Sequence, residues 1–413
     1  METSEVQKFN LKSFLSLKGA AAVAGVVAVA GAGTMAFSNS VANGDKIVMG
    51  IQTYGQPIGG LDKAGAEKVF TNIAAQKIHN ITFRYGTEEF VVTPEEIDLK
   101  PLVDKATKDA FSYGRGGTTL SNLNEQVSCV FNGRSVDLVA NYDSDLLTEK
   151  LNEIAAKVNC DPVNAECRLS GDVIEKIPGV VGKRLNVEQL AASLKEPLTT
   201  LNIPKGAIDL TPEDIQPFIT TEDIAAIDSV LGSYSTNYYP GDRGDNIWLA
   251  ANSISDKIVK PSWTFSFNDT VGERTRAAGY KMAGVIVNGQ SGVDYGGGVC
   301  QVSSTLYNAV LLSGLTPTER TPHYFQSSYI GYGRDATVAD GQIDFKFRND
   351  LLHNVYLLAE AYGSTLSVYV LGTKADLGGS DIALELDGAS LYRVYYNGGQ
   401  VVKDEFLHTD SYH

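Results

Sequence analysis

Residues 294–315, DYGGGVCQVSSTLYNAVLLSGL, decide how the second half of the chain folds. Glycines 296–298 remove Cβ atoms where the backbone must turn tightly, and they run directly into apolar positions Val302, Leu306, Val310 and Leu311 at helical spacing. The pattern predicts a helix with Cys300 at or near its first turn. Unpaired N–H groups and the positive end of the helix dipole favour thiolate over thiol there. A neighbouring imidazole completes the activation of such a nucleophile. His323, in ERTPHYF, lies 23 residues further on at the start of an extended stretch, where the fold can return it to Cys300. Asp335 in GYGRDATV, or Asp344 in GQIDF, is the candidate to orient that imidazole in a Cys-His-Asp set. The same residues admit a structural reading, because cysteine is among the most often buried residue types and a small thiol beside glycines packs closely.

Around this stretch, Arg274, Tyr295, Gly297, Gly298, Gln301 and Arg334 are the candidate ligand-binding residues. Backbone N–H groups from Gly298 to Gln301 are placed to meet an oxyanion. Asn268, Arg274 and Arg276 in FNDTVGERTR suit a carboxylate or a sugar, and equally suit a polar loop. Neither GxxxxGK[ST] nor a strand-to-helix GxGxxG is present, so the glycine run is not a phosphate loop. His408 and His413, near the C-terminus, are expected to be incidental.

Working outward, the fold class is α+β. Residues 45–218 read as two similar α+β units: EKVFTNIAAQKIHN and DSDLLTEKLNEIAAKV as helices, ITFRY with EEFVVT and CRLSG with DVIEKIPG as paired strands. TPEEI at 93–97 and TPEDI at 211–215 each carry a capping signature for a new helix start. Residues 219–262 read as a connection and a leading helix, 263–371 as a second domain, and 372–413 as a β-rich tail ending in a hairpin around YRVYYNGGQVV.

The first 18 residues are polar and basic, and the uncharged run 19–37, GAAAVAGVVAVAGAGTMAF, has the length to cross a hydrocarbon core of about 30 Å as one helix. Basic residues before the run place everything after it outside the cell. A small-x-small site at Ser40–Ala42 also fits a cleaved signal, which gives the same compartment. The expectation is a single-pass membrane protein with its bulk extracytoplasmic. An oxidising exterior makes a Cys160–Cys167 disulfide an open prospect. With 49 acidic against 34 basic residues, the net charge of −15 argues against general nucleic-acid binding. The cysteines at 129, 160, 167 and 300 have no CxxC spacing, so neither a metal nor an organic cofactor is expected.

Residues 263–371 resemble the VanW domain, with WTFSFNDTVGERT, GYKMAGVIVNG, GGGVCQVSSTLYNAVLLSGL, ERTPHYF, GRDATV and IDFKFRND in that family's order. Residues 47–218, including GQPIGGLDKAGAEKVF and VVGKRLNVEQL, resemble the peptidoglycan-binding domain that often precedes it. The resemblance implies a bacterial cell-envelope protein with peptidoglycan or its stem peptides as partner. It is of the accessory kind associated with glycopeptide (vancomycin) resistance clusters. The alternative is a cysteine-dependent peptidoglycan-peptide hydrolase in which Cys300 attacks, His323 acts as base and Asp335 orients it.

Overall fold

The structure, a computed structural model, describes residues 41–413 except 172 and 288–289. It forms two compact units. One holds the described residues up to 160 together with 183–213, and the other holds 161–182 and 214–413. Among the described residues no helix is long and apolar enough to cross a membrane. The run 19–37, where a span was expected, lies outside the described residues. The expected single-pass membrane location is therefore corrected, because no described helix supplies the crossing it requires.

The first unit is α+β. In the helix Ser144–Val158, residues Leu147, Leu151, Ile154, Ala155 and Val158 are buried, a stripe at helical spacing, and Asp143 caps its start. Ile81–Tyr85 and Glu88–Val92 form the expected hairpin, extended by a short parallel strand at Ile208–Asp209. Phe70, Phe83, Leu138 and Leu198 share one core. The two TPE motifs part company. Thr93 and Glu96 exchange the reciprocal hydrogen bonds of a capping box, at 2.8 and 3.4 Å, ahead of a single turn at Glu95–Ile97. The second motif instead enters a strand, Glu213–Ile215. Pro217 explains the correction, since its ring bars a helix from continuing past Gln216.

The second unit is built on an antiparallel sheet of four strands. These are β1 (Ser229–Asn237), β2 (Lys257–Val259), β3 (Val355–Tyr362) and β4 (Thr365–Gly372), in the order β1-β4-β3-β2. Two helices, α1 (Asp242–Ile254) and α2 (Val299–Leu312), pack on it. Alternation sorts the side chains. Val355, Leu357, Val368 and Val370 join the helix-side core, while Tyr356 and Leu371 face a second cluster with Ala165, Ile219 and Ile227. Both faces are thus covered, which accounts for the unbroken burial of the first five residues of β3, Val355 to Ala359. The segment read as a connection holds β1, paired along its length with β4. Gly232 lets that strand close on α2, because a Cβ there would lie 2.6 Å from the Ala309 carbonyl oxygen.

All four cysteines are free. The Cys160–Cys167 bridge is corrected: Cys167 is buried in the second unit's smaller core, whereas Cys160 is exposed. The C-terminal residues form a three-stranded antiparallel meander, Asp381–Asp387, Ser390–Asn397 and Gln400–Thr409. From it the buried Arg393 reaches the end of α2, donating to the carbonyls of Leu315 at 2.7 Å and Leu311 at 3.4 Å.

Since α2 is buried on nearly every side, Leu306→Ala is expected to destabilise the full-length protein by about 2–5 kcal/mol. Chemical denaturation measures it, and a loss below about 1 kcal/mol would contradict the close packing described.

Candidate active site

Cys300 is the second residue of α2, directly after the glycine run. Gly298 has φ +111 and a Cβ on Gly297 would lie 2.7 Å from backbone atoms of Ala283 and Gly284. Glycine at these two positions lets the hairpin Met282–Val287 and Gln290–Tyr295 close against the helix start. A cavity of about 700 Å³ opens there, with Cys300, His323, Tyr295, Tyr329, Arg243 and Arg274 on its wall.

Cys300 and His323 share the wall of this cavity and are electrostatically coupled, and His323 Nδ1 lies 2.6 Å from Asp335 Oδ2. With Nδ1 committed to the carboxylate, Nε2 is the ring nitrogen left for the sulfur. The His323 backbone N–H also donates to Asp335 Oδ2, at 2.6 Å, so one carboxylate fixes both the main chain and the ring. The His323 side chain is 15% exposed and that of Asp335 is 1% exposed. Sγ also sits 3.3 Å from the Val338 carbonyl oxygen, to which a thiol can donate.

Electrostatics follow from this geometry. Burial favours the neutral thiol, but the bond to His323 and its charge outweigh burial and hold Cys300 below the ordinary thiol value. Burial alone would depress His323; its hydrogen bonds and charge contacts with Asp335 and Cys300 prevail and push it up to about 9. Burial raises Asp335, whereas bonds from His323 and Tyr412 bring it below the usual carboxylate range. Both shifts run toward the thiolate–imidazolium form, the activated form of such a nucleophile.

Asp335 is itself held by Arg320, which donates to its carboxylate at 3.1 Å and to its backbone carbonyl at 2.7 Å, and by the Tyr412 hydroxyl. Arg320 in turn pairs with Asp410 at 2.6 and 2.7 Å. Asp410 and Tyr412 come from the C-terminal tail, a role not anticipated from the sequence. His408 is not incidental either: its Nε2 lies 2.7 Å from the hydroxyl of the buried Tyr307.

Asp344, the other carboxylate considered for the third position, lies elsewhere. It accepts from Ser266 Oγ at 2.6 Å and from the Asn268 N–H at 2.9 Å, anchoring the short helix Phe267–Val271. Arg274 lines the cavity with its guanidinium paired to Asp340 and donating to Asn268 Oδ1 at 2.7 Å. Tyr295, Gly297 and Gly298 also line it. Gln301 and Arg334 lie off its wall. Gln301 is 2% exposed and bonds Thr236 and Asn237, while Arg334 donates to the Leu384 carbonyl at 2.8 Å. Among the described residues no cluster of His, Cys, Asp and Glu has the arrangement of a metal site.

Comparison with known proteins places this site in a family. Residues 242–371 match the family described as "VanW like protein", and residues 90–202 match the one described as "Putative peptidoglycan binding domain". YoaR of Bacillus subtilis strain 168, an uncharacterised protein, is 33% identical over 265 residues, covering 63% of this chain and 84% of YoaR. The vancomycin B-type resistance protein VanW of Enterococcus faecalis is 33% identical over 131 residues, which is 30% of this chain and 48% of that protein. No solved structure matches. The chain belongs to the VanW-like family, with a peptidoglycan-binding-type domain upstream, and these matches support a cell-wall-associated role.

The pairing predicts the pH dependence of Cys300 alkylation by iodoacetamide, followed by mass spectrometry. The wild-type midpoint should fall below the ordinary thiol value of about 8.5, and in His323→Ala, where burial is no longer offset, it should move above that value. Identical profiles in the two proteins would refute the ion pair.

Proposed function

We propose that this cell-wall-associated protein uses Cys300 to cleave amide bonds in peptidoglycan stem peptides, with the upstream domain holding the polymer. The observation that carries the reading is the buried Asp335 aligned on His323, which shares the wall of an open cavity with Cys300. The sequence left a non-cleaving binding module and a hydrolase side by side. A packed structural cysteine has no use for a carboxylate-oriented imidazolium, and this favours the hydrolase.

In the proposed reaction the Cys300 thiolate attacks the amide carbonyl carbon, forming a C–S bond. As the C–N bond breaks, the imidazolium of His323 gives its Nε2 proton to the departing amine. The resulting thioester is attacked by water, whose proton passes to His323. The C–S bond then breaks, releasing a carboxylic acid and restoring the thiolate. Asp335 keeps the imidazole in register and stabilises its charge throughout. The start of α2 offers the oxyanion the positive end of the helix dipole, although the Val299 and Gln301 N–H groups donate to the carbonyls of Gly296 and Gly298.

Incubation of the full-length chain with purified sacculi tests this by release of new amino groups. Cys300→Ala and His323→Ala are each expected to lower release by roughly 10³-fold or more, while both variants still sediment with insoluble wall. Equal release by the variants and the wild type removes the proposal.

A further inference from the structure

Arg243, which the sequence reading passed over inside GDRGDN, occupies the first turn of α1 and lines the cavity that holds Cys300. Its place is fixed by close contact with the glycine run: a Cβ on Gly298, two residues before Cys300, would lie 3.0 Å from Arg243 Cγ and 3.0 Å from its carbonyl oxygen. Among the described residues its guanidinium makes two long contacts, both to neutral acceptors, the Gly284 carbonyl and Gln301 Oε1, each at 3.4 Å. Gln301 is a built support. It is buried, and its Nε2 donates to Thr236 Oγ1 at 3.1 Å and the Asn237 carbonyl at 2.8 Å, which turns Oε1 toward Arg243.

The other charges around the cavity are already engaged. Arg274 is paired with Asp340, and His323 with Asp335 and the sulfur. Asp294 accepts the backbone N–H of Tyr295 at 2.7 Å. The acidic neighbours of Arg243 on its own helix turn, Asp242 and Asp245, pair with Lys281. Arg243 is thus a cavity-lining cation with no carboxylate partner among the described residues. The first turns of α1 and α2 both adjoin the cavity and add the positive ends of two helix dipoles.

We propose that Arg243 binds a free carboxylate of the substrate, so that Cys300 acts on peptides bearing a carboxylate close to the scissile amide. This deepens the hydrolase reading and rests on it. Guanidinium geometry suits a bidentate carboxylate, and the two neutral contacts, being long, are easily exchanged for such a ligand. The carboxylate is either the C-terminal one or that of an acidic side chain, which have the same chemistry at the guanidinium.

The test compares alkylation of Cys300 in the full-length protein by iodoacetate, an anion, and by iodoacetamide, its neutral analogue. Each rate is normalised to that of free cysteine. The wild type is expected to favour iodoacetate by roughly fivefold, Arg243→Gln to lose that preference, and Arg243→Lys to retain part of it. A wild-type ratio near or below one, or a ratio unmoved in Arg243→Gln, overturns the inference while leaving the thiolate reading standing. A Cys300 inert to both reagents overturns the thiolate reading and the inference together. Stem peptides amidated at the C-terminus, or on the acidic side chain, then identify which carboxylate is read. The form that Arg243 recognises loses kcat/KM on amidation in the wild type and not in Arg243→Gln, and indifference to both amidations counts against the proposal.

Discussion

The site in the second unit depends on one buried carboxylate. Asp335 has almost no access to water, so its charge is tolerable only because donors converge on it: the ring and backbone N–H of His323, the Arg320 guanidinium and the Tyr412 hydroxyl. The donors come from two parts of the chain, Arg320 with His323 and the tail's Tyr412, and the carboxylate brings them to one place. Removing a partner from such a buried ionic group typically costs about 3–5 kcal/mol, because the remaining charge is stranded. The orientation of His323, and through it the state of Cys300, are consequences of satisfying this group.

This constraint explains why the tail is integral to the second unit. Arg320 bridges two buried carboxylates, Asp335 and Asp410 of the tail, and so ties the tail to the site. Tyr412 closes the remaining side of the carboxylate, and Arg393 ties the same meander to the end of α2. The VanW-like match ends at residue 371, yet the groups that hold its central aspartate extend to residue 412.

Much of the fold was legible because local patterns agree with tertiary structure. The stripe of Ser144–Val158 and the hairpin at 81–92 are set by burial on one face, and α2 is an apolar run buried on nearly every side. Strand β1 was missed, since SVLGSYSTN lacks a simple alternation and becomes a strand by pairing with β4. TPEDI misled because its local capping signal is overruled by Pro217 two residues beyond. In the site, Cys300 and His323 were legible from their types and spacing, but the choice between Asp335 and Asp344 was not. Both carboxylates are buried and hydrogen-bonded, and only the path of the chain decides which one reaches the imidazole. Arg243 lay in a stretch read as a connection, where a single cation carries no signal until the glycine run is seen packed against it.

The most direct measurement is an NMR titration of the His323 imidazole, with ring nitrogens labelled, in the wild type and in Cys300→Ala. Held by Asp335 on one side and the thiolate on the other, the ring should remain protonated through neutral pH and titrate near 9. Removing the sulfur should lower that midpoint, since one of the two negative partners is lost. A wild-type midpoint at the ordinary histidine value of about 6.5, unchanged in Cys300→Ala, would contradict the account at its centre.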